Sequence, residues 1–198
     1  MKHKRVGVID SGVHATHPHI QGVAGGIAFT RDGLEESDYT DRIGHGTAVT
    51  AVIREKAPTA EVYAVKIFHD KLATRVETLI AAIDWCVANR MDLINLSLGT
   101  SNEEHRAPLV EAVGRVLAAG ALLVAADGWL PGSLDGVTAV ELDWDCPRDE
   151  YRIAQSADGR TIYRASGFPR PAPGIPPERN LKGLSFAVAN VTGLLARQ

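Results

Sequence analysis

Cysteine is nearly absent from this chain, whose 198 residues include only Cys86 and Cys146. Two cysteines cannot form the set of disulfides that stabilises many small secreted domains, so we interpret both as reduced thiols and predict a cytoplasmic protein. The sequence also lacks an apolar run of about 18 residues, which excludes a predicted transmembrane helix. The apolar segment at residues 6–9 is too short for a secretory signal peptide.

Basic charge is not in excess either. The chain has 21 Lys and Arg against 24 Asp and Glu, a net charge of −3, and it contains no basic block. We therefore expect neither nucleic acid nor a membrane surface as a partner. A hydrophobic fraction of 45% and a charged fraction of 23% are typical of a globular protein, and we predict a single domain over residues 1–198.

Predicted strands and helices alternate through the first two thirds of the chain. Apolar β-branched runs predict strands, and apolar residues at helical spacing predict helices. The predicted strands are residues 5–9, 60–68, 93–98 and 121–126, and the predicted helices are residues 48–53, 74–89 and 108–119. This alternation predicts an α/β fold of three layers, with a mostly parallel central sheet between helices. Ligand sites in such folds lie beyond the carboxyl ends of the strands.

The remaining segments have weaker patterns. Residues 14–41 read as irregular, and short antiparallel strands are predicted near 136–142 and 151–164. Residues 170–177 hold four prolines and predict an irregular loop. The last segment, residues 185–196, is almost wholly apolar and predicts a buried helix that begins at Ser185.

Ser185 lies where a nucleophile would be activated. The N-terminus of a helix offers unpaired N–H groups and the positive end of the helix dipole, which suit the stabilisation of an oxyanion. A serine at this place can also be a simple N-cap. Serine acyl transfer needs a histidine base and an acid that orients it, and His45 and Asp10 are candidates for these roles. The order Asp, His, Ser is one of the known arrangements of such a triad.

The motifs around these residues resemble those of the subtilisin-like serine peptidases, the subtilases. The similar segments are Val8-Ile9-Asp10-Ser11-Gly12-Val13, Gly44-His45-Gly46-Thr47, Asp92-Leu93-Ile94-Asn95-Leu96-Ser97-Leu98-Gly99, Ala172-Pro173-Gly174 and Gly183-Leu184-Ser185-Phe186-Ala187. The resemblance covers about residues 4 to 196 and implies a subtilisin-like fold and a serine endopeptidase activity. It implies that Ser185 is the nucleophile, His45 the general base and Asp10 the residue that orients the imidazole.

The resemblance also implies where a peptide binds. Ser97, Leu98 and Gly99 would pair with the substrate backbone as an added strand. Val124, Ala125 and Ala126 would line the pocket for the residue before the cut.

The sequence departs from the subtilase pattern at the oxyanion position. Subtilases place an asparagine there, whose amide donates to the oxyanion, but in this chain Asp127 falls on that position. An ionised aspartate has no donor, and the loss of one such donor costs roughly 10²–10³ in turnover. A protonated Asp127 would restore a donor if its site raised its pKa. We expect attenuated activity. Two further departures, Ala48 and the pair Ala189-Asn190, concern helix packing.

No cofactor or metal is predicted. His14, His17 and His19 form a cluster, but no cysteine or second cluster supports a zinc site. The loop that helps to hold calcium in many subtilases is missing after Ile53. The acids Glu35, Glu36, Asp38 and Asp41 read as a solvated loop or as a preference for a basic substrate residue.

The chain is short at its end, with 13 residues after Ser185. We interpret it as a subtilisin-like domain truncated after the catalytic-serine helix. One flank of that helix would then be bare, which predicts a homo-oligomer or a partner chain.

Two functions remain open. The first is an intracellular serine endopeptidase, in particular a dedicated peptide-processing enzyme. The second is a catalytically weak or inactive subtilase-fold module that binds a peptide or a partner protein. The complete set of Asp10, His45 and Ser185 favours the first, and Asp127 with the short C-terminal side favours the second.

Overall fold

The structure is a computed structural model that describes residues 3–176 and 179–198, so Pro177 of the predicted proline-rich loop lies outside the described residues. Within these residues, nine strands and four α-helices follow one another, with one short 3-10 helix at Glu103–His105. The strands are β1 Arg5–Asp10, β2 Gly25–Phe29, β3 Glu35–Glu36, β4 Glu61–Lys66, β5 Leu93–Leu96, β6 Leu122–Ala126, β7 Thr138–Leu142, β8 Arg152–Gln155 and β9 Thr161–Ala165. The helices are α1 His45–Lys56, α2 Val76–Ala88, α3 Arg106–Ala118 and α4 Leu184–Ala196.

All nine strands form one sheet in the order β3-β2-β4-β1-β5-β6-β7-β9-β8. Neighbours from β2 to β9 in this order are parallel, and only β3 and β8 at the two edges run antiparallel. Because the central strands are parallel, their carboxyl ends lie along one side of the sheet, which we call its carboxyl edge. Asp10, Ser97 and Asp127 therefore reach the same edge from β1, β5 and β6.

Each face of the sheet carries its own pair of helices. Val6 and Val8 of β1 pack on the side of α1 and α4, whereas Ile9 packs on the side of α2 and α3. This follows from the alternation of side chains along a strand. The predicted α/β fold, with a mostly parallel sheet between two helical layers, is confirmed.

Three local predictions differ from the structure. Residues 14–41 are not wholly irregular, because they contain β2, which pairs in parallel with β4, and β3. Residues 138–142 form a strand that is parallel to both of its neighbours, so the predicted antiparallel orientation was wrong there. Only β8 and β9 form an antiparallel pair in that region.

Helix α4 begins at Leu184, one residue earlier than predicted, and Gly183 precedes it with a φ of 144° that favours glycine. Nearly every residue of the helix is buried inside the chain itself, against α1 and the strands β5, β6, β7 and β9. The predicted bare flank of this helix is therefore absent, and the helix gives no reason to expect a partner chain.

Candidate active site

Asp10 and His45 meet at the carboxyl edge of the sheet. Asp10 is the last residue of β1 and is 2% exposed, and His45 is the first residue of α1. His45 Nδ1 lies 2.8 Å from Asp10 Oδ1. Because an ionised carboxylate can only accept, the imidazole donates from Nδ1 and keeps Nε2 as an acceptor. A histidine in this tautomer can take a proton at Nε2.

Two glycines allow this close approach of β1 and α1. A Cβ at Gly46 would lie 2.3 Å from Gly12 O and 3.2 Å from Asp10 Oδ1. Gly12 has a φ of 96°, and a Cβ there would lie 2.2 Å from Tyr39 O. Glycine is therefore required at both positions for the carboxylate and the imidazole to meet.

Asp41 organises the loop before His45, which sequence reasoning missed. Its carboxylate is 8% exposed and accepts five hydrogen bonds of 2.7–2.9 Å. The donors are the Ser11 hydroxyl, the N–H groups of Ile43 and Gly44, and the N–H and hydroxyl of Thr47. The interpretation of Asp41 as part of a solvated loop was wrong.

Asp41 acts as the cap of α1 from outside the helix. The N-cap residue is Gly44, which has no side chain to accept the unpaired N–H groups of the first turn. Asp41 accepts the N–H of Thr47 instead, and the Ser11 hydroxyl accepts the N–H of Gly46. A carboxylate that precedes an apolar helix by a few residues is a capping signal, and it was the clue available in the sequence.

Two carboxylates act on His45. Burial favours the neutral imidazole, but the hydrogen bond and charge of Asp10, followed by the charge of Asp41, outweigh burial and raise the pKa of His45. For Asp41 itself, burial acts to raise the pKa. The donors from Thr47, Gly44 and Ile43 outweigh burial and hold the pKa of Asp41 below its ordinary value. Asp41 therefore carries a negative charge near the imidazole at neutral pH.

Ser185 lies in the first turn of α4, which packs against α1. The next residue, Phe186, has its ring centroid 5.9 Å from that of His45. In this structure Ser185 Oγ donates to Ser97 O at 3.2 Å, and Ser97 Oγ donates to Ser185 O at 3.2 Å. The Ser185 hydroxyl is thus directed at the strand end after β5 and not at the imidazole.

A chain of buried polar groups fixes Ser97 from behind. Asn95 Nδ2 donates to Ser97 Oγ at 2.9 Å, and Thr192 Oγ1 of α4 donates to Asn95 Oδ1 at 2.9 Å. Asn95 and Thr192 have no exposed surface. These side chains connect Ser97, which follows β5, with α4 near Ser185.

Asp127 follows β6 and is held by an ion pair. Arg160 Nη1 donates to Asp127 Oδ1 at 3.1 Å, and the N–H of Asp127 donates to Val140 O. The pKa of Arg160 is raised by its hydrogen bond to Asp158 and, to a smaller extent, by Asp127. A guanidinium thus lies next to the Asp127 carboxylate.

The segments expected to bind a peptide differ in exposure. Leu98 and Gly99 line a cavity of about 260 Å³ with Val76 and Leu79 of α2. Val124 and Ala125 have no exposed surface, because Val124 packs against α4 and Ala125 packs in the core of the opposite face. Of the three residues Val124, Ala125 and Ala126, only Ala126, at 7% exposure, can touch a ligand directly. The expectation that Val124 and Ala125 line a pocket is not met in this structure.

Within residues 3–176 and 179–198, no group of three or more metal-ligating side chains has the spacing to hold a metal ion. The helices in the described part of the chain are all too short or too polar to span a membrane.

Comparison with known proteins gives consistent matches. A family model described as "Subtilase family" matches residues 2–133. The chain is 38% identical over 139 residues to the minor extracellular protease Epr of Bacillus subtilis, covering 64% of this chain and 20% of that protein. It is 29% identical over 202 residues to subtilisin E of Bacillus subtilis, covering 96% of this chain and 51% of that protein. It is 36% identical to the thermostable alkaline protease of Halalkalibacterium halodurans over 133 residues, covering 63% of this chain and 35% of that protein. The chain thus spans about half or less of the length of these relatives.

Proposed function

This chain belongs to the subtilase family, and from that premise we propose that it is a serine-type endopeptidase that hydrolyses peptide bonds through Ser185, His45 and Asp10. The observation that carries the proposal is the 2.8 Å contact between His45 Nδ1 and Asp10 Oδ1, which leaves Nε2 available at the edge where Ser185 lies.

The reaction would have two halves. Ser185 Oγ attacks the peptide carbonyl carbon while His45 Nε2 takes the hydroxyl proton, and the same proton then goes to the departing amine. This leaves an acyl-enzyme. Water then attacks the acyl carbon while His45 Nε2 takes one of its protons, and this proton goes to Ser185 Oγ as the carboxylic acid product leaves. The buried Asp10 carboxylate stabilises the imidazolium in both halves. The N–H groups at the start of α4 would donate to the oxyanion.

The substrate itself would release the nucleophile. Ser185 Oγ is bound to Ser97 O in the free protein, and Ser97 belongs to the segment expected to pair with the substrate backbone. A peptide N–H that donates to Ser97 O would compete with the Ser185 hydroxyl for this acceptor. The freed hydroxyl could then donate to His45 Nε2, so peptide binding would precede activation.

The finer parts of the proposal concern location and role. We propose an intracellular enzyme, because Cys86 and Cys146 are both buried and free, as expected for a reducing compartment. We also propose a dedicated peptide-processing role for this peptidase. One relative is named an extracellular protease, and this name describes the location of that relative and not of this chain.

Two observations favour a second candidate function. The Ser185 hydroxyl donates to Ser97 O, and Asp127, which the sequence resemblance assigns to the position of a neutral amide donor, pairs with Arg160. A site with these features could bind a peptide without cleaving it. A catalytically weak or inactive binding module is therefore the alternative.

A fluorophosphonate reporter tests the proposed function, because it labels only an activated serine. We expect labelling of the wild type and of the control Ser101→Ala, whose serine is exposed. Ser185→Ala and His45→Ala should remove the label. A diphenyl phosphonate built on a short peptide should label faster than the simple reporter if a peptide releases Ser185. Labelling that survives Ser185→Ala would refute the nucleophile, and absence of labelling with retained peptide binding would favour the alternative.

A further inference from the structure

A second cavity adjoins the candidate active site on the side of α1. Its volume is about 580 Å³, and it lies between the N-terminus of α1, the loop with the three histidines, and the segment that leads towards α4. Gly44, Thr47 and Ala48 form the helical wall. Gly44 directly precedes His45 in the chain, so the cavity adjoins the N-terminus of the helix that carries this histidine.

The two cavities lie on opposite faces of the sheet, because α1 and α2 pack on opposite faces of it. The smaller one, with Leu98 and Gly99, lies on the side of α2, where the peptide before the cut is expected. The larger one lies on the side of α1. A peptide that runs past Ser185 from the first cavity would therefore leave towards the second. The second cavity would receive the residues after the cut.

A small side chain keeps this cavity open. Ala48 lies on its helical wall, at the position where subtilases carry a histidine. The imidazole of a histidine would extend from the first turn of α1 into this space. The chain therefore has room here for a substrate side chain.

The charged groups that line the cavity favour an anion. The acidic side chain among the described lining residues is Asp41, whose carboxylate oxygens are taken up by five internal hydrogen bonds. The lining also includes Arg170 and the histidines His14, His17 and His19. Burial, then Arg170 and His17, lower the pKa of His19. At neutral pH, Arg170 therefore supplies the fixed positive charge of the described wall.

Arg170 is held in place on this wall. Its Nη1 donates to His19 O at 3.0 Å, and Asn180 Nδ2 donates to Arg170 O at 3.4 Å. The rings of His17 and His19 pack edge to face with centroids 5.2 Å apart. Because the guanidinium is already ordered, a ligand carboxylate would not have to order it on binding.

We propose that this cavity binds an acidic side chain, Asp or Glu, within the first three residues after the cleaved bond, with the Arg170 guanidinium as its partner. The inference rests on the proposed peptidase function, from which it takes the direction of the peptide. It makes the chain selective for substrates that are acidic on the leaving-group side.

Cleavage of a proteome-derived peptide library tests this preference without a known substrate. Mass spectrometry identifies the residues after each cut for the wild type and for Arg170→Gln. Arg31→Gln is the matched control, because Arg31 is an exposed arginine that pairs with Asp70 and is not among the residues that line this cavity. We expect acidic residues to be enriched by about tenfold after the cut in the wild type and the control, and not in Arg170→Gln. Equal profiles for Arg170→Gln and wild type would overturn the proposal.

A binding measurement separates this proposal from a failure of the proposed function. Short labelled peptides with Glu, Gln or Lys at the second position are titrated onto Ser185→Ala by fluorescence anisotropy. The peptide with Glu should bind about tenfold more tightly than the peptide with Gln, and the difference should vanish in Ser185→Ala/Arg170→Gln and shrink at high salt. If the library is not cleaved but this difference appears, the peptidase function fails and the acidic site stands. If the Glu and Gln peptides bind equally, the acidic site is refuted.

Discussion

Replacement of Asp41 by asparagine should destabilise the fold around His45 and lower the pKa of the His45 imidazole. One carboxylate oxygen of Asp41 accepts from Ser11, Ile43 and Gly44, and the other accepts from the N–H and the hydroxyl of Thr47. An asparagine can keep one of these two sets. Its NH₂ group then faces donors, because every neighbour that contacts the carboxylate donates to it.

The magnitude follows from the contacts that are lost. If the amide oxygen keeps the set with Ser11, the buried N–H of Thr47 is left unpaired, which costs about 1–3 kcal/mol. The three remaining hydrogen bonds also lose their charge assistance, and the total destabilisation is about 3 kcal/mol. For a chain of this size each kcal/mol lowers Tm by about 2–4 °C, so we expect a fall of roughly 6–12 °C.

The pH dependence distinguishes this role from general instability. The folded-state pKa of Asp41 is lowered, so its stabilisation is present above the ordinary carboxyl pKa and is lost as the pH falls through the lowered value. The difference in Tm between the wild type and Asp41→Asn should therefore close in acid. Asp41 also helps to raise the pKa of His45, so Asp41→Asn should move the acid limb of kcat/KM to lower pH. An NMR titration of the His45 ring should show the same fall in its pKa, and this measurement does not require enzymatic activity.

Asp38 offers a matched control, because it lies on the same loop, is exposed, and contacts Thr40 and Arg42. Asp38→Asn should change the free energy of unfolding by less than about 0.5 kcal/mol. If Asp41→Asn melts within about 2 °C of the wild type and leaves the His45 titration unmoved, the assigned role of Asp41 is refuted.

Two further predictions concern the oxyanion position and metal. Asp127→Asn should raise kcat/KM for peptide hydrolysis by about tenfold, because Arg160 already compensates part of the negative charge. Arg160→Gln should lower kcat/KM, and the double variant should have the same kcat/KM as Asp127→Asn alone. Unchanged rates in both single variants would place Asp127 outside the oxyanion site. Since α1 runs without an insertion from His45 to Lys56, EDTA should leave Tm within about 1 °C, and a fall of several degrees would reveal a bound ion that stabilises the fold.

The strands that build the centre of the sheet could be predicted because their signal is local. The apolar runs of β1, β5 and β6 are buried on both faces of the sheet, so they stand out from their flanking polar residues. Strand β2 lacks this signal, because it begins with Gly25-Gly26 and is only partly buried at that end. The direction of β7 was predicted wrongly because direction depends on how residues 127–137 cross back over the sheet, and no pattern within the strand reports that path.

The sequence by itself determined which residues stand at the ends of strands and starts of helices. Asp10 ends an apolar run and His45 and Ser185 begin two others, so local patterns suffice to name them. Their contacts were decided only by the tertiary structure. Asp41 meets Ser11 across 30 residues, Asp127 meets Arg160 across 33, and Ser185 meets Ser97 across 88. Such pairs depend on loop paths and helix packing, and these are set by the burial of the whole core rather than by the residues that touch.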